Sequence, residues 1–245
     1  MKTPIVSITY AFFLALCCLQ AYAQDTPAEL KAFEQAAGSG SVLFRGKQAN
    51  AYERPANGNP YWSSTAFVPG TVVFEDRLYD DILVNIDAIA GQVLVRKADN
   101  PIAIALPAAS VSSITTEDKR FEWIPDTVEG LPEGLYEVIG DSREKIYKHV
   151  AKRLQTSSQN MNGDPIGYVD PGYRSEVNDY YAISKTYYFK DRDGRFSRVK
   201  GRSALLRKFP ERRGELRKAL SAAGYDVPGI DFDAYCKMVL KMVAR

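Results

Sequence analysis

Few residues in this chain are able to do nucleophilic or metal chemistry. His149 is the only histidine, and of the three cysteines Cys17 and Cys18 fall within an N-terminal apolar run, leaving Cys236. One Cys and one His cannot supply the ligands of an ordinary zinc site. A histidine base needs an orienting acid and a nucleophile. Lys148 and Lys152 flank His149 and discourage its protonation, so a packed or solvated strand histidine is expected. Cys236 falls on an apolar helical stripe, where a buried, inert thiol is expected.

Carboxylates cluster at Glu75, Asp76, Asp80, Asp81 and Asp87. Paired carboxylates can act as acid and base on glycosides or bind calcium through oxygen. On a strand, however, Asp80 and Asp81 point to opposite faces, and a charged turn and strand edge that resists pairing with other chains explains the cluster. Asp191-Arg192-Asp193-Gly194 begins like a calcium loop, but position 12 is Arg202 where a glutamate belongs. A hairpin turn is the better account.

Charge is unevenly spread. Gln24 to Ser142 holds 9 Lys+Arg against 18 Asp+Glu, whereas Arg143 to Arg245 holds 22 against 12. Arg195 to Lys218 alone holds ten basic residues and two acids. Such a segment can meet an anionic surface or acidic partner. Arg198, Lys200 and Arg202 share one strand parity, and Arg213 and Arg217 lie four apart on a helix. These five form the candidate binding site. The competing expectation is that they pair with Glu75, Asp76, Asp80 and Asp81. Nucleic acid is disfavoured by the export signal and by the absence of a recognised motif, and no cofactor or metal is called for.

The elements that must position these residues are mostly strands. Thr71 to Leu106 alternates apolar and polar residues in four runs, at Val72–Phe74, Ile82–Ile86, Val93–Val95 and Ile102–Leu106, broken by Glu75-Asp76-Arg77, Ala90-Gly91 and Asp99-Asn100-Pro101. Pro69-Gly70 turns the chain into this meander, and Ser41–Arg45 reads as a further short strand. Val111–Thr115, Phe121–Ile124 and Leu135–Ile139 follow. Arg143–Gln155 fits helix and strand alike and is read as a strand paired with Leu135–Ile139. Asp179–Lys190 is a long strand with Tyr181, Tyr187 and Phe189 on one face and Tyr180 and Tyr188 on the other. One face packs on the core; the other is either a stacking surface for sugars or a partner, or is covered by helices. Phe196–Lys200 returns as a hairpin.

Helices are expected at Asp25–Ala37, Ser203–Phe209 and Glu211–Ala223, with a last one capped by Asp231. In that last helix Phe232, Tyr235, Cys236, Val239, Leu240 and Val243 form a full apolar stripe. The fold class is therefore α+β, mainly antiparallel β meanders in a sandwich or half-barrel covered by C-terminal helices. Residues 1–23 read as a signal peptide, with Lys2, the apolar run Ile5–Leu19 and Ala21-Tyr22-Ala23 before the cleavage point. Residues 24–134 form a first half and 135–245 a second, packed as one unit. Cleavage leaves no transmembrane segment and places the protein in the periplasm or outside the cell. With Cys236 as its one cysteine the mature chain can form no intramolecular disulfide and must rely on its core.

The segments GTVVFEDRLYDDILVNID, GQVLVRK, GLYEVIGD, NDYYAISKTYYFKDRDGRFSRVK and LLRKFPERRGELRKAL resemble a set of uncharacterised exported β-rich proteins of Bacteroidota-type bacteria. The likeness covers roughly Thr71 to Leu220 and carries no activity. Three functions follow in order of preference: a non-enzymatic envelope protein binding a partner or ligand, a half-barrel carrier of an apolar ligand such as lipid, and a secreted hydrolase using paired carboxylates.

Overall fold

A computed structural model describes residues 42–156 and 179–244, and Leu43–Arg245 form one compact unit. The expected leader and the helix expected at Asp25–Ala37 lie outside the described residues. Among the described residues, eleven strands make one open antiparallel sheet. They are β1 (Lys47–Gln48), β2 (Val68–Phe74), β3 (Arg77–Asp87), β4 (Gln92–Arg96), β5 (Ile104–Leu106), β6 (Val111–Thr116), β7 (Arg120–Ile124), β8 (Gly134–Ile139), β9 (Lys145–Thr156), β10 (Asp179–Lys190) and β11 (Phe196–Val199). Their order is β1-β5-β4-β3-β2-β6-β7-β8-β9-β10-β11, so neighbours in space are nearly always neighbours in sequence. Three helices follow, α1 (Arg202–Leu206), α2 (Arg213–Ala222) and α3 (Phe232–Val243).

Because side chains alternate across a strand, the pairing register fixes which residues share a face. One rung joins Val72, Ile114, Phe121, Glu137, Lys148, Tyr187 and Val199 across seven strands. Its apolar ends seed two separate cores on the same face. The first gathers Val72, Ile82, Val84, Val93, Val95, Leu106 and Ile114 beneath Leu43 and Trp62. The second gathers Ile139, Ile146, Tyr187, Phe189 and Val199 beneath the three helices. The α3 stripe Tyr235, Cys236, Val239, Leu240 and Val243 is buried as its spacing requires, each large side chain contributing roughly 1.5–3 kcal/mol. Asp231 caps α3, its carboxylate accepting from the Asp233 N–H. On the opposite face Tyr136, Tyr147, Tyr188 and Phe196 form a third, aromatic cluster.

The structure corrects some local expectations. Leu43–Arg45 is a single 3₁₀ turn instead of a strand, because Leu43 drops into the first core as a plug. Pro69 and Gly70 belong to β2 itself. Pairing with β6 starts at Gly70, so the missing Pro69 N–H costs no ladder bond on that side. Ile102 is 49% exposed and precedes β5. Within 143–155 the strand β9 starts at Lys145, and it pairs with β8 as expected. The connection at 126–134 does not interrupt the sheet, since β7 and β8 pair across it.

Candidate functional site

The two cores do not meet. Between them, on the covered face of β8, β9 and β10, polar side chains occupy the rung positions that apolar ones hold elsewhere. Glu137, Lys148 and Lys152 are 3%, 6% and 8% exposed, and all three point to the face that buries Ile146 and Val150. A cleft of about 540 Å³ opens over them. One wall is the strap Asn57–Ser63; the other is the first turn of α3.

The strap is held by backbone bonds at both ends. Asn57 N donates to the Asp179 carbonyl and Tyr181 N to the Asn57 carbonyl, at 2.8 and 3.1 Å, while Trp62 N donates to the Ile86 carbonyl at 2.8 Å. The Trp62 ring meets Phe121 edge-on at 5.2 Å, and its Nε1 donates to Glu137 Oε2 at 3.1 Å. That same oxygen accepts from Lys148 Nζ at 2.8 Å, and Lys148 Nζ also donates to Asp233 Oδ2 at 2.5 Å. Tyr187 closes the network by donating to Asp233 Oδ1 at 2.7 Å. Two carboxylates thus share one ammonium. Burial opposes the Lys148 charge, but its bonds to Asp233 and Glu137 outweigh burial and raise its pKa. Burial likewise works to lift the Asp233 carboxyl, yet the Lys148 and Tyr187 hydrogen bonds hold it below its usual range. A general acid on a glycoside needs the reverse shift.

Lys152 differs. Its ammonium is gripped by the Asn59 carbonyl at 3.0 Å, by Asn59 Oδ1 at 3.2 Å and by the Tyr61 carbonyl, with no carboxylate among its described contacts. Burial alone acts on its pKa, and lowers it. Three more lysines ring the cleft. Lys119 donates to Ser63 Oγ at 2.9 Å, Lys185 lies 4.0 Å from Asp231, and exposed Lys237 has no hydrogen-bond or ion-pair partner among the described residues.

The five sequence candidates fall in two places. Arg198, Lys200 and Arg202 line one hollow of about 450 Å³ at the β11 edge of the sheet, together with Lys185 and Phe232. Arg202 is committed to structure: it donates to the Val227 and Ile230 carbonyls at 3.1 and 2.7 Å and lies over the Tyr235 ring. Arg213 and Arg217 stand exposed on α2 and do not line that hollow. Among the described residues none of the five pairs with Glu75, Asp76, Asp80 or Asp81.

Those four acids are spread along the first meander. Glu75 and Asp76, at φ 48° and 61°, make the two-residue β2–β3 turn. Asp80 and Asp81 form a bulge in β3. Asp87 is buried and accepts from the Tyr52 hydroxyl and from the N–H groups of Ile89 and Ala90. No group of three metal-ligating side chains occurs among the described residues. Cys236 is fully buried, which pushes its thiol pKa up, and the 191–194 segment is a hairpin turn with Gly194 at φ 85°.

Lys148, Lys152 and Glu137 are not among the five sequence candidates. The available signal was parity: both lysines share the face of Ile146, Val150 and Leu154, so a strand there must turn two ammoniums inward. No family model, curated protein or solved structure matches the chain.

Proposed function

We propose that this is an exported, non-enzymatic binding protein whose ligand is an anion held in the lysine cleft. The observation that carries this reading is the imbalance of charge around the cleft. Lys119, Lys148, Lys152, Lys185 and Lys237 face Glu137, Asp231 and Asp233. Glu137 and Asp233 are both spent on Lys148. Asp231 serves as the α3 cap and is only loosely engaged by Lys185. An ammonium sunk in a protein wall without a counter-charge is costly, and an anionic ligand over Lys152 supplies one.

The apolar-carrier alternative requires a deep apolar cavity. An apolar hollow bordering this cleft, between Trp62, Val84, Ile114 and Phe121, encloses about 190 Å³, below the ~300 Å³ at which small-molecule sites usually begin. The hydrolase alternative requires two carboxylates that converge in a cleft, whereas Glu137 and Asp233 are both tied to Lys148 and Glu75, Asp76, Asp80 and Asp81 are spread along the first meander. Both therefore rank below anion binding.

The test is calorimetric titration with monogalacturonate and inorganic phosphate, with Trp62 fluorescence as a second readout. Lys185 and Lys237 lie on the cleft rim away from the strap, so Lys185→Glu with Lys237→Glu reverses rim charge without loosening it. The expected result is binding that weakens at least about tenfold in the double variant and falls with added salt, as exposed charges are screened over ~8 Å at physiological ionic strength. Binding indifferent to both changes, or none at millimolar anion, overturns the proposal.

A further inference from the structure

The lysine cleft and the arginine-lined hollow at the sheet edge are neighbours, since Lys185 lines both. The hollow is the more one-sided of the two: Lys185, Arg198, Lys200 and Arg202 border it and no carboxylate does. Arg202 is occupied by two carbonyls and the Tyr235 ring, but exposed Arg198 and Lys200 have no hydrogen-bond or ion-pair partner among the described residues. Building on the anion-binding reading, we infer that the two hollows form one groove for an acidic oligosaccharide, a chain of sugar rings bearing repeated carboxylates.

Three observations lead there. The first is length. Lys152 pairs with Ile183 and Arg198 with Tyr188, five residues further along β10 and one strand beyond it, an odd offset that turns Arg198 from the face of Lys152 towards the other face at the free β11 edge. At ~3.3 Å per residue and ~4.8 Å between strands, the two positions are about 20 Å apart. A small anion fills one end only, whereas a chain with repeated charges that leaves the cleft past Lys185 and bends round the β11 edge reaches both.

The second is depth. Lys148 and Lys152 are recessed between strap and helix, beyond the reach of a flat membrane surface but open to a chain that enters the cleft. The third is lining. Trp62, Val150, Ala234 and the 57% exposed Ile183 give the lysine cleft an apolar side, and Asn59, Ser63 and Tyr181 give it neutral polar groups. A sugar ring presents C–H faces and hydroxyls to match both kinds of wall. A bare phosphate chain presents neither.

The experiment compares mono-, di- and tetragalacturonate on the full mature chain, with maltotetraose as the neutral chain and tetraphosphate as the carbohydrate-free one. Linking two binding events raises affinity without new contacts. The tetramer is therefore expected to bind at least about tenfold more tightly than the monomer. Arg198→Ala with Lys200→Ala should erase that gain while leaving monomer affinity unchanged. Both side chains are exposed and without a hydrogen-bond or ion-pair partner among the described residues, and circular dichroism of the variant checks that it folds. A tetramer no tighter than the monomer, or a gain that survives the double substitution, overturns the inference while sparing the anion site. Loss of monomer binding itself overturns the anion site. Tetraphosphate or maltotetraose binding as tightly as tetragalacturonate overturns the saccharide assignment.

Discussion

Lys148 and Lys152 sit four residues apart on the same face of one strand, with nearly equal exposure, yet their chemistry differs. Lys148 has two carboxylates and a raised pKa; Lys152 has only neutral oxygens and a lowered one. What separates them is the partner that tertiary structure brings, Asp233 from the last helix in one case and the Asn59–Tyr61 strap in the other. No spacing rule reveals that from sequence. His149, between them, points to the opposite face and rests on Tyr136, ring centres 5.3 Å apart. Burial lowers its pKa below the ordinary value. The unfolded chain then holds a proton that the folded one does not, in the window between the lowered value and about 6.5. Stability falls as pH drops through that window, by at most about 1.4 kcal/mol per pH unit for one group. His149→Phe should flatten thermal stability between pH 7 and pH 5 relative to the parent. Parallel curves for the two proteins would show that His149 keeps its solution pKa.

At the scale of elements, alternation places most strands of the first meander, because each has one face in a core, but it fits helix and strand alike over 143–155 and misplaces the ends of β2 and β5. The α3 stripe was equally readable, as was its Asp231 cap. What escaped were features set by a neighbour: the Leu43 plug, the strap, and the bulge in β3. There Thr71 faces both Asp80 and Asp81, and Asp81 takes up the extra residue at φ 51°. Aspartate tolerates this left-handed conformation better than most residues, and a β-branched side chain least. Asp81→Val should cost about 1–2 kcal/mol of stability, whereas Asp81→Gly should stay within about 0.5 kcal/mol of the parent, relief of strain offsetting glycine's extra freedom when unfolded. Denaturant titration checks both. An Asp81→Val variant as stable as the parent would mean that the bulge shifts elsewhere along β3.

At the scale of the whole molecule, the opposed charge of the two halves suggested that they neutralise each other by direct pairing. Instead, among the described ion pairs Lys148–Glu137 and Arg54–Asp179 cross between the halves, while Arg195 with Asp191 and Asp193, Arg212 with Glu215, Lys148 with Asp233 and Arg192 with Glu144 each lie within one. What unites the halves is the sheet. Every junction from β6 to β10 is a hydrogen-bonded ladder, and the polar rung through Glu137 and Lys148 ties Trp62 of the first core to Asp233 of the helices. Two cores with a wet cleft between them can unfold one after the other or together, and this linkage favours together. Val93→Ala, at a fully buried site in the first core, and Leu240→Ala, in the second, should each lower the midpoint of one shared transition. With about 1–4 kcal/mol lost by removing buried methyl groups and ~2–4 °C per kcal/mol in a chain of this size, shifts of several degrees are expected. The measurement is thermal unfolding followed by Trp fluorescence, which reports Trp62 and Trp123, and in parallel by far-ultraviolet circular dichroism, which reports the whole sheet and the helices. Coincident curves that move together in both variants match the continuous sheet. If Leu240→Ala instead splits off an early loss of helical signal while the fluorescence transition stays in place, the cleft is a boundary between independently folding parts, and the groove proposed across it would depend on the ligand to hold its walls together.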